Sequence, residues 1–309
     1  MTHYWLPHIG GVETVAYEQA RRIAVKGYDV TVFASRVPRN TPEYSEEDHV
    51  KVFRAPAINL LEDKFGIPYP IFAFNALNTL RELVRRVDIV HVHEAFYHSS
   101  YFALNYAKKY GKPSIVTMHI SKRKFGSTIL NLAGYCLDLI ERDGLRKTSL
   151  IIGVSRKTLN SKGVKGIVLY NGVDHEKFRP PTPKEKEKLR RKLGIPPERM
   201  VALYVGRIAR ISKGVDILVE AMEILEKKGS NVFFLIAGGG VDENWLRREI
   251  ALRKLRNVKY LGQVEYRSLP EIYMASDIAV FPYRTGEGMP MTLLEALSTG
   301  LPVVNTRVK

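Results

Sequence analysis

The chain has 309 residues, of which 45% are apolar and 26% charged, with one cysteine and a formal net charge of +16. That length suits two domains of ordinary size, and the composition excludes a disordered chain or a disulfide-stapled one. The charge is not a basic tail, since residues 1–173 hold 24 basic and 15 acidic side chains and the remainder 24 and 17; it leaves open either a solvated surface or attraction to an anionic partner.

Read in chain order, the first residues lack the basic-then-apolar pattern of an export signal, and Cys136 has no partner for an internal disulfide. A cytoplasmic setting is expected. Gly10-Gly11 precedes a helical pattern formed by Val12, Val15, Ala16, Ala20, Ile23 and Ala24, and Gly27 stands where a helix would stop. Two glycines before a helix allow close approach of a phosphate to free N–H groups, although a tight turn without a ligand would read the same way. Apolar runs at 29–35, 88–93, 114–119 and 150–155 predict strands buried on both faces. The longest apolar stretch, 69–80, is broken by Asn75 and Asn78 and is too short to span a membrane. Lys122-Arg123-Lys124 followed by Phe125, Ile129, Leu130, Leu132 and Leu137 fits either a core-facing helix with a solvated start or a basic amphipathic patch for anionic lipid.

Between residues 179 and 200 the composition turns to Pro, Lys, Glu and Arg, which marks a linker with a charged helix over 184–193. Strands are then predicted at 200–207, 232–237, 258–261, 278–282 and 302–305, and helices at 214–228, 241–256, 269–275 and 291–299. Two successive βα arrays imply two doubly wound domains, with ligands at the carboxyl ends of the strands. The division expected is 1–175, a linker 176–198, and 199–309, with a first strand missing at one end and truncation at the other.

Two further features could carry chemistry. Arg207 and Lys213 follow a predicted strand and precede a helix, a placement that suits a diphosphate as well as it suits idle surface charge. Glu287 and Glu295 lie eight apart, the first on a loop and the second in a helix bounded by Gly300 and Pro302. Each could accept hydroxyls of a sugar or ribose, while Glu295 could instead favour a helix dipole. His91 and His93 alternate along one strand without a third ligand at convincing spacing, so they read as structural. No two aspartates are two apart, so an Asp-x-Asp metal clamp is missing.

Taken together, Pro7-His8-Ile9-Gly10-Gly11-Val12-Glu13, Asn171-Gly172-Val173-Asp174, Gly206-Arg207…Lys213-Gly214 and Glu287-Gly288…Leu294-Glu295-Ala296-Leu297…Gly300-Leu301-Pro302 resemble the signature of family 4 glycosyltransferases of the group 1 type. The motifs keep the family's order and cover nearly the whole chain. The resemblance implies a GT-B fold, two Rossmann-like domains facing across a cleft, and retaining, metal-independent transfer from a UDP- or GDP-sugar to a hydroxyl of a glycan, lipid or small molecule. It gives Gly10 and Gly11 contacts to donor phosphate or sugar, and Arg207 and Lys213 the diphosphate. Glu287 would hold hydroxyls of the transferred sugar, Glu295 the ribose, Val264 the base, and His119 the sugar at a strand end.

Where the family often has a second glycine, Pro290 offers no N–H, so phosphate contacts there fall to the amides of Met291 or Thr292. No cofactor is implied, nor nucleic acid. The remaining expected partners are an acceptor, which could be lipid-linked, and the anionic inner face of a membrane. A shortened, non-catalytic fragment that binds nucleotide sugar is the competing reading.

Overall fold

The structure is a computed structural model that describes residues 1–8, 10–121, 128–284 and 288–307. It divides into a first compact unit of Met1–Asn171, which also takes in Gly288 and Met289, and a second made of the remaining residues from Gly172.

In the first unit the helix expected after Gly10 is α1 (Gly11–Val25). The chain leaves it at Gly27, where φ is +92° and the amide donates to the Ala24 carbonyl. Next come β1 (Val30–Ser35), β2 (Tyr44–Glu47) and β3 (Val50–Ala55); β3 pairs parallel to β1 and antiparallel to β2. Short strands β4 (Ala57–Ile58) and β5 (Ile71–Phe72) pair around α2 (Leu60–Phe65) and lead into α3 (Phe74–Arg86). A parallel βα array follows, β6 (Val90–His93), α4 (His98–Lys109), β7 (Ser114–Met118), α5 (Thr128–Leu145), β8 (Leu150–Gly153), α6 (Arg156–Lys162) and β9 (Ile167–Val168).

The opening residues join the two sheets. The Thr2 N–H donates to the Phe33 carbonyl and that of Ser35 to the His3 carbonyl. On the other side the His93 N–H donates to Met1 and the Met1 amine to His91. Successive residues of β1 then face opposite cores: Val32 and Ala34 pack with Ala16, Tyr17 and Ala20 of α1, while Phe33 packs with Leu77 and Leu80 of α3.

The second unit opens with α7 (Pro183–Leu193), whose start is a capping box: the Thr182 side chain accepts from the Glu185 N–H and the Glu185 carboxylate accepts from the Thr182 N–H. It continues through β10 (Met200–Val205), α8 (Arg210–Lys213), α9 (Val215–Lys227), β11 (Val232–Ala237), α10 (Glu243–Leu252) and β12 (Val258–Tyr260). After a 3-10 turn come α11 (Leu269–Met274), β13 (Ile278–Phe281), α12 (Met291–Ser298) and β14 (Val303–Asn305).

All five strands are parallel, in the order β12-β11-β10-β13-β14. Along β10, Val201, Leu203 and Val205 face a core shared with Leu269, Ile272 and Ala296, whereas Ala202 and Tyr204 face one shared with Leu218, Val219 and Leu246. Burial on both faces is why the strand reads as an unbroken apolar run. Among the described residues, no helix is long and apolar enough to cross a membrane.

Arg190 ties α7 to this sheet. Its guanidinium, 9% exposed, donates to the carbonyls of Ala275 (3.0 Å), Pro197 (3.0 Å) and Arg199 (3.3 Å) and to Asp277, whose carboxylate also accepts from the Val201 N–H (2.7 Å). Removing such a fork leaves three carbonyls without their donor, while Asp277 keeps Lys186 (2.6 Å) and the Val201 N–H, at a cost of about 2 kcal/mol. Arg190→Ala is therefore expected to lower the unfolding temperature and to open the Val201 amide first in hydrogen exchange. Protection equal to wild type at Val201 would contradict this role.

Candidate functional site

In the second unit the strand order reverses between β10 and β13: the chain runs outward through β11 and β12 on one side and through β14 on the other. The loops leaving β10 and β13 are thus neighbours, and such a reversal is where open α/β sheets hold ligands. Gly206 and Arg207 leave β10. The Ile208 N–H donates to the Gly239 carbonyl (2.8 Å) and the Tyr204 hydroxyl to the Arg207 carbonyl (2.8 Å), which fixes the backbone that carries Arg207. At Gly238, φ is +135° and an added Cβ would lie 1.9 Å from the Gly206 carbonyl oxygen, so only glycine permits this approach.

Lys213 ends α8, with its ammonium 4.8 Å from the centre of the Tyr283 ring. Arg210 holds the same segment from the other side by pairing with Asp242 (2.9 Å) and lying over Trp245.

From β13 the chain reaches α12, with Pro290 as its N-cap at φ −65°. Leu294 is the first to donate back, to the Pro290 carbonyl. The amides of Met291, Thr292 and Leu293 therefore lack intrahelical acceptors, as expected at a helix start. Glu295 lies one turn further in, only 2% exposed, and accepts from the Tyr273 hydroxyl at 2.9 Å. It is a buried acid in the second turn and not a surface partner of the helix dipole. Burial raises its pKa to about 7, against the pull of the Tyr273 hydrogen bond. Val264 is half-buried beyond β12 and packs on the core that lines this side of the sheet.

In the first unit, Gly10 is the extended N-cap of α1, and the Glu13 carboxylate folds back over it: an added Cβ would meet Glu13 Oε2 at 2.2 Å. His8 lies 3.5 Å from Glu13 and 3.2 Å from Glu62, and its ring stacks on Tyr4. Burial opposes a charge on His8, but the two carboxylates outweigh it and bring the pKa up to about 9.

His119 follows β7 and is 7% exposed, with its Nε2 3.0 Å from His93 Nδ1. Burial, helped by His91, lowers its pKa to about 3, so the imidazole is neutral. Its backbone is held by Glu94, fully buried at φ +65°, whose Oε1 accepts from the N–H groups of His119 and Ile120. His91 binds Thr117 Oγ1 at 2.8 Å.

Within the first unit, a Cβ on Gly288 would lie 2.1 Å from the His119 carbonyl oxygen. The Asn171 side-chain amide donates to the Met289 carbonyl (3.1 Å). Glu287 and the segment Lys122-Arg123-Lys124-Phe125 fall outside the described residues, as do the side chains of Ile129, Leu130 and Leu132.

Thus Arg207, Lys213, Met291, Thr292 and Glu295 belong to adjoining loops and a helix start of one unit, while Gly10 and Gly11 lie at the start of α1 and His119 after β7 in the other. Glu62, Glu94, Tyr273 and Tyr283 escaped the reading of the sequence, and His8 entered it only as part of the Gly-Gly motif. Glu94, directly after β6, and Tyr283, after the apolar run of β13, both stood where a strand-end site residue is sought.

Two Rossmann-like α/β units of this kind place the chain in the GT-B class of fold. It belongs to glycosyltransferase family 4: the pattern described as Glycosyltransferase Family 4 matches residues 9–177, and that described as Glycosyl transferases group 1 matches residues 185–309. An uncharacterised glycosyltransferase of Methanocaldococcus jannaschii is 25% identical over 319 residues, 97% of this chain and 78% of the relative. A GDP-mannose-dependent monoacylated alpha-(1-6)-phosphatidylinositol monomannoside mannosyltransferase of Corynebacterium glutamicum is 36% identical over 142 residues, 44% of this chain and 37% of the relative. Among solved structures, the Anabaena HepE protein in complex with UDP-glucose matches with a TM-score of 0.73 at 18% identity, over 99% of this chain and 80% of that one.

The buried acid gives a pH signature. Unfolded, Glu295 ionises near 4.5; folded, it keeps its proton to about 7. Its contribution to stability is full below pH 4.5 and is lost as pH rises through 7. Glu295→Gln should therefore gain stability relative to wild type between pH 5 and pH 8, read as a growing difference in Tm. A difference that does not change with pH would exclude a raised pKa.

Proposed function

We propose that the chain transfers a sugar from a UDP- or GDP-sugar to an acceptor hydroxyl, with retention of anomeric configuration and without a metal. What supports this most is the placement of Arg207 and Lys213 after β10 beside the start of α12 after β13, at the reversal of strand order. Arg207 grips diphosphate oxygens in its planar fork, and Lys213 adds a point charge. The amides of Met291 and Thr292, at the positive end of α12, take a further oxygen. Negative charge grows on the leaving nucleotide, and these fixed donors stabilise it as it forms. Glu295 accepts the ribose hydroxyls, Val264 borders the base, and Glu287 holds the transferred sugar.

The first unit contributes neutral contacts. With the Glu13 carboxylate over Gly10, the Gly10-Gly11 turn suits a sugar hydroxyl better than a phosphate. His119, neutral and tied to His93, acts as a hydrogen-bond partner to the sugar and not as a cationic acid. The acceptor hydroxyl attacks from the face that the nucleotide leaves, and a departing phosphate oxygen takes its proton. A lipid or lipid-linked glycan is the favoured acceptor class, on the strength of the phosphatidylinositol mannoside named for the corynebacterial relative.

Calorimetric titration with UDP, GDP and ADP tests the donor site. One nucleotide is expected to bind equally well with and without EDTA, and Arg207→Ala should weaken it at least about tenfold, as for loss of a charge-assisted fork. Binding abolished by EDTA would overturn the metal-free reading, and an inverted product anomer by NMR would overturn retention.

A further inference from the structure

Three consecutive residues after β13 close on the turn that carries Lys213. The Pro282 carbonyl oxygen comes so near Gly214, where φ is +66°, that a Cβ there would lie 1.9 Å away. Tyr283 lays its ring under the Lys213 ammonium, 4.8 Å from nitrogen to ring centre. Arg284 donates its backbone N–H to the Ser212 carbonyl (3.0 Å), and its guanidinium pairs with Asp216 in the first turn of α9.

Tyr283 is the member of this trio that reaches further. Its ring is buried and stacks on Phe281 with centroids 5.5 Å apart, and its hydroxyl lies 2.7 Å from Thr292 Oγ1, in the opening turn of α12. One rigid side chain thus touches both the cation after β10 and the helix start after β13.

We propose that Tyr283 is a positioning residue of the donor site, its ring holding the Lys213 ammonium and its hydroxyl tying that cation to Thr292, so that the two diphosphate-binding elements keep a fixed spacing. The inference rests on the donor site proposed above. The chemistry is that of a cation on a π face. Lysine has a flexible stem and many rotamers, and an aromatic face restricts them. Lys213 held against the Tyr283 ring therefore loses less entropy when a diphosphate binds.

The test compares the nucleoside diphosphate that binds wild type with its parent nucleoside, which lacks the phosphates. Tyr283→Leu is expected to weaken the diphosphate about 3- to 5-fold, in line with a partly exposed cation–π contact, and to leave the nucleoside unchanged. Tyr283→Phe keeps the ring but loses the tie to Thr292, so its affinity should lie between those of wild type and Tyr283→Leu. In a Lys213→Met background the Tyr283→Leu effect should shrink to the part that Tyr283→Phe shows. Phenylalanine analogues of increasing ring fluorination at position 283, which preserve packing, should weaken the diphosphate stepwise.

Equal losses for diphosphate and nucleoside would show that Tyr283 serves only the fold, and would overturn the proposal. So would effects of Tyr283→Leu and Lys213→Met that multiply in the double variant, or affinity indifferent to fluorination. A Lys213→Met variant that binds the diphosphate as wild type does would instead sink the donor-site reading, and this inference with it.

Discussion

The second unit depends on backbone packed directly against backbone at the carboxyl ends of β10, β11 and β13. Gly238 lies on the Gly206 carbonyl and Gly214 on the Pro282 carbonyl, distances that no side chain could enter. Close packing there brings the loop with Arg207 and Lys213 against the chain that leads to α12. Among the described residues, Arg207, Lys213 and Arg284 at this edge are therefore carried on short, tightly bonded segments, each reached within a few residues of a buried strand. A site whose main donors are amides and cations needs such placement, because its selectivity comes from where fixed charges lie and not from their number.

Both units place a carboxylic acid where water does not reach, and they use it differently. Glu94 spends one oxygen on two backbone N–H groups at the end of β7 and so shapes the strand end that carries His119. Burial raises its pKa to about 7, with Lys162 drawing it down and Glu141 pushing it up. Glu295 instead accepts from a side chain, the Tyr273 phenol. His8 shows the opposite balance, since two carboxylates hold a proton on an imidazole that burial alone would strip.

Much of this was legible in the sequence for a physical reason. Parallel strands covered on both faces have no polar alternation to conceal them, so β10, β11 and β13 announce themselves, and Gly27, Gly300 and Pro302 punctuate the helices. The β2–β3 hairpin did not stand out because β2 is half-exposed, with Tyr44-Ser45-Glu46-Glu47 mostly polar, and because the buried strand β3 carries Lys51 and Arg54 among its apolar residues. Helix α4 was hidden by its small and polar buried residues, Ser99, Ser100 and Ala103. The strand-like role of Met1–His3 rests on hydrogen bonds from β1 and β6, which three residues cannot advertise. Arg207, Lys213 and Glu295 were found through a family pattern. Glu94 and Tyr283 both follow strand ends, but they act through contacts more than twenty residues away in sequence, and no local rule reveals those partners.

The pairing of His93 with His119 has one more consequence. Two neutral imidazoles 3.0 Å apart share a single proton between facing nitrogens, so the pair exists in two polarities. When His119 Nε2 carries the proton, its Nδ1 presents a lone pair; when His93 Nδ1 carries it, His119 Nδ1 presents a hydrogen. A hydroxyl can donate or accept, and each polarity of the pair suits one choice with no change in net charge. In the proposed site, either tautomer would let this strand end meet a hydroxyl without dictating the direction of its bond.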